Sequence, residues 1–228
     1  MPPDERSYLS EVELFVGLSE KELRDLESRI PDVSLGDNQV FYTPWHRGES
    51  IFLLLSGRMR IYRIRGAREM TLFVVYPGQI FGEASLAGLP KGAYAQSLEP
   101  ARVALLNRNT LWRLVTDRPQ TGAVLAELMA ERLSTYEDRL EEISLLETPL
   151  RLARLLVRMI EAEGVSEDGE YVIPAHYTHQ LLASLAGCER PALTRALGKL
   201  RTAGVVSLSD RHIHVPNIPA LRSYGEAP

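Results

Sequence analysis

Cysteine is almost absent: Cys188 is the single one in 228 residues. That excludes an internal disulfide and any site built from several thiolates. Aromatic residues are few, at 7 %. Long apolar runs are missing as well. Ile51–Leu55, with five residues, is as long as they become, far short of the ~20 that span a bilayer. The opening segment, Met1–Ser10, is charged and polar, unlike a secretion signal. A cytoplasmic chain with no membrane partner is expected. Nothing resembles a nucleophile–base–orienter set, a Walker-type phosphate loop or a metal cluster, so no enzyme, catalytic residue or metal site is expected. What is there, 45 % hydrophobic and 25 % charged residues, fits a soluble protein of one or two domains.

Positive charge is in slight deficit, with 26 basic and 30 acidic side chains and a formal net charge of −4. Taken whole, that weighs against a nucleic-acid partner. The distribution changes the picture. Residues 1–148 carry 17 basic and 22 acidic side chains, net −5, whereas residues 176–215 carry five and two, net +3, with four of the five histidines. A basic surface therefore belongs near the C-terminus.

Along the chain, Ser19 and Glu22 form a capping box ahead of Leu23, Leu26 and Ile30, predicting a short helix within 11–30. Residues 35–107 alternate β-rich runs (IFLLL, IYRI, MTLFVVY, VALL) with single glycines. This predicts an antiparallel roll or barrel, with Asn38 in a left-handed turn where glycine is missing. Residues 109–147 turn helical. Met129, Leu133, Tyr136, Leu140 and Ile143 follow a 4-3-4-3 spacing flanked by charge, the seam of a two-helix dimer interface or of a stripe packed on the roll itself. Glu147, Thr148 and Pro149 mark a hinge, with Thr148 as helix cap and Pro149 as first helical residue. The expected division is 1–108, 109–147 and 148–228.

The segment THQLLASLAGCERPALTRALGKLRTAG, Thr178–Gly204, reads as two helices, about 179–186 and 190–203, across a glycine turn at Gly187. The second leaves Arg190, Thr194, Arg195 and Lys199 on its outer face. Arginine can hold guanine bidentately, and threonine or Ala192 can meet a thymine methyl. Lys199 and Arg201 suit phosphate contacts. The hairpin VVSLSDRHIHV then has the position of a wing, with Arg211 at its tip.

In this order, LFVGLSEKEL, LLLSGRMRIY, YPGQIFGEASL, the long helix and THQLLASLAGCERPALTRAL resemble the CRP/FNR family of bacterial transcription regulators, over about 12–216. The resemblance implies an α+β protein: an N-terminal cupin-like β-roll, a dimerisation helix and a C-terminal winged helix-turn-helix. It implies a homodimer that reads an inverted repeat in double-stranded DNA and acts with RNA polymerase. Arg190 and Arg195 match the family's DNA-contacting arginines, Thr178 a phosphate-contacting threonine and His179 a basic neighbour. Two departures alter that match: Pro191 stands where members often carry glutamate, and Glu189 where many carry serine. A carboxylate at Glu189 suits a helix N-terminus but sits awkwardly near phosphate.

The resemblance also implies an effector pocket, at Gly82, Glu83, Ala84, Ala93, Tyr94, Arg132 and Tyr136. Here Ala93 and Tyr94 align with the family's phosphate-binding Arg-Ser pair, and Tyr136 and Glu137 with its base-contacting Thr and Ser. Without a guanidinium the charge-assisted phosphate contact is lost. Lys91, two residues earlier, is a partial substitute in what reads as a turn tip. No cAMP response is expected, and the effector is unknown or absent. The iron–sulfur mode needs several cysteines, and the haem mode finds no ligand at Gly82 or Ala84. Histidine pairs at His176 and His179, or His212 and His214, lack acidic partners for a metal. Trp45 replaces a common glycine, as packing or as an exposed protein contact. The competing reading is a ligand-binding roll whose C-terminal module only mediates protein interaction.

Overall fold

The computed structural model describes residues 7–163, 165–167, 170–173, 177–209 and 212–226. Two compact units form, Met1–Arg63 with Leu72–Ser134, and Ile64–Thr71 with Thr135–Pro228.

In the first unit, α1 (Glu20–Glu27) starts at the capping box, with both Ser19–Glu22 exchanges made. Strands follow: β1 (Asp32–Leu35), β2 (Val40–Tyr42), β3 (Ser50–Ser56), β4 (Met59–Arg65), β5 (Arg68–Val75), β6 (Ile80–Phe81), β7 (Tyr94–Ser97) and β8 (Ala101–Asn107); the end of β4 and the start of β5, within Ile64–Thr71, belong to the second unit. They make two four-stranded sheets, ordered β1-β8-β3-β6 and β2-β7-β4-β5. Asn38 takes φ 54°, as the missing glycine requires. The IFLLL run is explained by burial on both faces of β3. Ile51 and Leu53 join Leu9, Leu14, Phe15 and Leu111 in one core, while Phe52 and Leu54 join Met59, Val75, Phe81 and Val103 in the core between the sheets.

The expected single helical stretch, 109–147, is two helices: α2 (Arg108–Asp117) and α3 (Pro119–Leu145). Pro119 has no N–H to continue the ladder, and the residue before a proline avoids helical angles. Arg118 accordingly lies at φ −139°, ψ 91°. Within α3, residues up to Ser134 belong to the first unit and those from Thr135 to the second.

The second unit holds α4 (Thr148–Glu163), β9 (Val165–Glu167), β10 (Glu170–Ile173), α5 (His179–Ala186), α6 (Arg190–Thr202), β11 (Ser207–Ser209), β12 (His212–Val215) and α7 (Ile218–Gly225). Its sheet order is β11-β12-β10-β9. Thr148 is itself the first residue of α4. Leu152, Leu156, Leu182, Leu193, Leu197, Leu200, Val215 and Leu221 are buried. Gly187 ends α5 at φ 64°, and a Cβ there would stand 3.3 Å from Ile143, so the turn is held close to α3. The last helix, α7, is not among the expected elements, although Asn217 caps it and Pro219 sits in its first turn.

Candidate nucleic-acid interface and the barrel interior

Thr178 starts α5 by accepting the Leu181 N–H on its hydroxyl at 3.1 Å, while its residue stays exposed, as does His179. Three residues, Gly187 to Glu189, separate α5 from α6. In α6 the helical period sorts side chains cleanly. Leu193, Ala196, Leu197 and Leu200 are buried. Arg190, Thr194, Arg195 and Lys199 are exposed, and Ala192 is half-buried beside them. The Thr194 hydroxyl donates to the Arg190 carbonyl at 3.1 Å, which leaves its methyl group as the outward apolar feature. Lys199 reaches Glu147 at 3.6 Å, both exposed. Lys199 and Arg201 lie in the last turn of α6, where cations suit the helix dipole. Arg211 lies outside the described residues, as does His176. Burial pushes the Cys188 thiol up, so the thiol stays protonated in the turn.

Glu189 is the N-cap of α6 but its side chain caps nothing. Its carboxylate instead meets Arg68 at 2.6 Å. Arg68 begins β5 and belongs to the same unit as α6. No sequence motif joined these two residues.

In the barrel, the side chains around the candidate pocket divide between an inner and an outer face. Ala93 and Ala95 are buried in the core between the sheets. Strand alternation therefore turns Tyr94 to the opposite face, where it stacks on Tyr62 at 5.1 Å between ring centroids and meets Trp45 edge-on at 6.3 Å. Tyr94 is thus not an interior anchor. Trp45 is 75 % exposed. Lys91, read as a turn tip, is the residue that points inward. It is 8 % exposed, and its ammonium donates to the Ser50 carbonyl at 2.7 Å, to the Gly82 carbonyl at 3.2 Å and to Ser85 Oγ. It also lies 4.4 Å from the Phe52 ring centroid. Burial lowers its pKa to about 8, against the raising influence of Glu83. Gly82 turns at φ 79°, and a Cβ there would come 2.8 Å from Phe52 and 3.1 Å from the Lys91 nitrogen. Only glycine fits.

Glu83 begins a 3-10 turn, Glu83–Ala87, that includes Ala84. Its Oε1 lies 3.4 Å from Arg132 Nη1, both side chains largely buried. Beyond this ion pair neither atom has a hydrogen-bond partner. Arg132 also donates to the Ile80 carbonyl at 3.2 Å and covers the Phe73 ring at 3.9 Å. Tyr136 belongs to the second unit and is 38 % exposed. Among the described residues, no three His, Cys, Asp or Glu side chains gather as metal ligands.

A helix-turn-helix with a basic outer face, followed by a β-hairpin, defines a DNA-binding regulator of the winged-helix class, and a two-sheet roll precedes it in the chain. The cyclic nucleotide-binding domain family matches residues 32–118, and the Crp-like helix-turn-helix domain family matches residues 150–224. The chain is 31 % identical to the Cyclic AMP receptor protein of Thermus thermophilus, covering 74 % of this chain and 76 % of the relative. It is 23 % identical to the CRP-like cAMP-activated global transcriptional regulator of Mycobacterium tuberculosis H37Rv, covering 90 % and 92 %. In fold it resembles the c-di-GMP responsive global regulator CLP of Xanthomonas campestris, with a TM-score of 0.77 at 17 % identity over 87 % of this chain and all of that one. The chain belongs to the CRP/FNR family of DNA-binding transcription regulators. Members bind DNA and act as dimers. Among the described residues, no helix is long and apolar enough to cross a membrane.

Proposed function

We propose that the chain works in the bacterial cytoplasm as a homodimer that reads an inverted repeat through α6 and recruits or hinders RNA polymerase. The observation that carries this reading is the exposed face of Arg190, Thr194 and Arg195, set over a fully buried leucine face. Arg190 and Arg195 are assigned to base edges. Thr178, His179, Lys199 and Arg211 are assigned to the phosphate backbone, with Ala192 and Thr194 as apolar contacts. Two such helices reach successive major grooves about 34 Å apart. Dimerisation is assigned to α3, where Leu133 and Leu140 are 59 % and 68 % exposed and Tyr136 lies between them. Met129, packed on the core of the first unit, and Ile143, beside the Gly187 turn, lie at the ends of that seam, and residues 147–149 are assigned as the hinge.

The same reading holds that operator binding needs no cAMP. Lys91 makes three hydrogen bonds to the chain's own oxygens, so its charge is internally satisfied rather than offered to a phosphate. The test is fluorescence anisotropy on a duplex enriched by the protein from a random pool, with and without 1 mM-scale cAMP. Equal affinities within about twofold are expected, since without a cation offered to its phosphate cAMP gains no differential hold on the chain. A tenfold or larger gain with cAMP refutes the cAMP-independent reading. Absence of any enrichment refutes the DNA-reading assignment of α6.

A further inference from the structure

We infer that Arg68, on the hairpin between β4 and β5, is a positioning residue for DNA reading: it cancels the charge of Glu189 at the N-terminus of α6. The inference rests on α6 being the recognition helix. A recognition helix presents its N-terminal residues to the bases, with phosphates on either side. A carboxylate at that point repels phosphate, and in low salt the repulsion reaches across about 30 Å, falling to about 8 Å at physiological ionic strength. Glu189 is such a carboxylate. It is 58 % exposed at the side chain, it caps no backbone N–H, and Arg68 Nη2 lies 2.6 Å from its Oε1.

The hairpin end is held against α5 by contacts deeper than this exposed pair. Thr71 Oγ1 and Ser184 Oγ share a hydrogen bond of 2.8 Å, both residues almost fully buried. Arg139 donates from one nitrogen to the Thr71 carbonyl at 3.4 Å and to the Leu185 carbonyl. Thus Arg68 stands three residues from an anchored point, and its guanidinium reaches the turn before α6 without depending on the ion pair for its place. The Arg68 side chain is itself 80 % exposed, so the neutralised pair lies at the surface and not in the core. Arginine and glutamate together turn an electrostatic fault at the reading edge into a neutral pair.

Exposed pairs contribute little to folding, so variants here fold, which a thermal melt checks. The experiment is a double-mutant cycle on the enriched duplex, read by anisotropy at several salt concentrations. Arg68→Ala is expected to weaken binding about 5- to 20-fold, and Arg68→Lys, which keeps the charge, to stay within about threefold. Glu189→Gln is expected to bind as tightly as the wild type or more tightly. The double variant, neutral at that point like the wild type, is expected to bind within about twofold of the wild type. The inference is overturned if Arg68→Ala is silent beside Glu189, or if the neutral double variant binds as weakly as Arg68→Ala alone. Arg195→Ala runs in parallel. If it leaves sequence preference untouched, the assignment of α6 fails, and that outcome is distinct from a failed cycle.

Discussion

Truncating Leu133 and Leu140 to alanine tests the dimer assignment quantitatively. Both lie on α3 at positions 59 % and 68 % exposed within one chain. Fully burying a leucine is worth about 1.5–3 kcal/mol, so the area still open on each is worth about 1–2 kcal/mol when a partner helix covers it. A homodimer counts each substitution twice, giving about 4–8 kcal/mol for the double variant. At 1.4 kcal/mol per tenfold, the dimer dissociation constant is expected to rise by roughly three to six orders of magnitude. Sedimentation equilibrium over a range of concentrations measures it directly. Leu145 is the control: at 75 % it is more exposed than either, but it falls off the 4-3-4-3 seam, so Leu145→Ala is expected to leave the dimer intact. Equal effects of Leu145→Ala and the seam variant, or a seam variant that dimerises like the wild type, would refute the reasoning.

Replacing Arg190 or Arg195 by alanine is expected to reduce discrimination by about 1–3 kcal/mol per half-site, flattening preference in a competition assay. Equal losses on specific and random duplex would instead assign both residues to phosphates. Lys91→Met strips the donor from the Ser50 and Gly82 carbonyls and from Ser85 Oγ. It is expected to cost about 2–4 kcal/mol and lower the melting temperature by roughly 5–10 °C; an unchanged melt contradicts the internal role. Glu22 titrates at about 2, held down first by the Ser19 side chain, then by the Ser19 backbone and Arg118. Its folded pKa is below the ordinary value, so its stabilising contribution is present above about pH 4.5 and is lost as pH falls towards 2. Melts of wild type and Glu22→Gln are expected to differ at pH 6 and converge near pH 2–3.

The roll and the reading head were legible because each rests on local rules. Gly187, the leucine spacing of α6, the Ser19–Glu22 box and the left-handed Asn38 are each set by a few neighbouring residues. The barrel interior was not. Which of Lys91, Ala93 and Tyr94 faces inward depends on the residue count between the Glu83 turn and β7, and a one-residue change of register exchanges the faces of a strand. The outward stacking of Tyr94 and the inward reach of Lys91 are therefore set by the fold and not by local sequence. The break at Arg118–Pro119 was readable from the proline alone. The Arg68–Glu189 pair was not, since 121 positions separate its members and only the folded hairpin brings them together.

The double burial of β3 has a consequence for what this sequence tolerates. Ile51 and Leu53 serve one core, Phe52 and Leu54 the other, so no position from 51 to 54 has a spare side. Most strands of an antiparallel sheet can absorb drift on their wet face. Here neither face is wet, and neutral variation has nowhere to settle. Across descendants of this chain, this tetrapeptide is where substitution should be slowest, and where a polar residue should arise only together with changes in its neighbours.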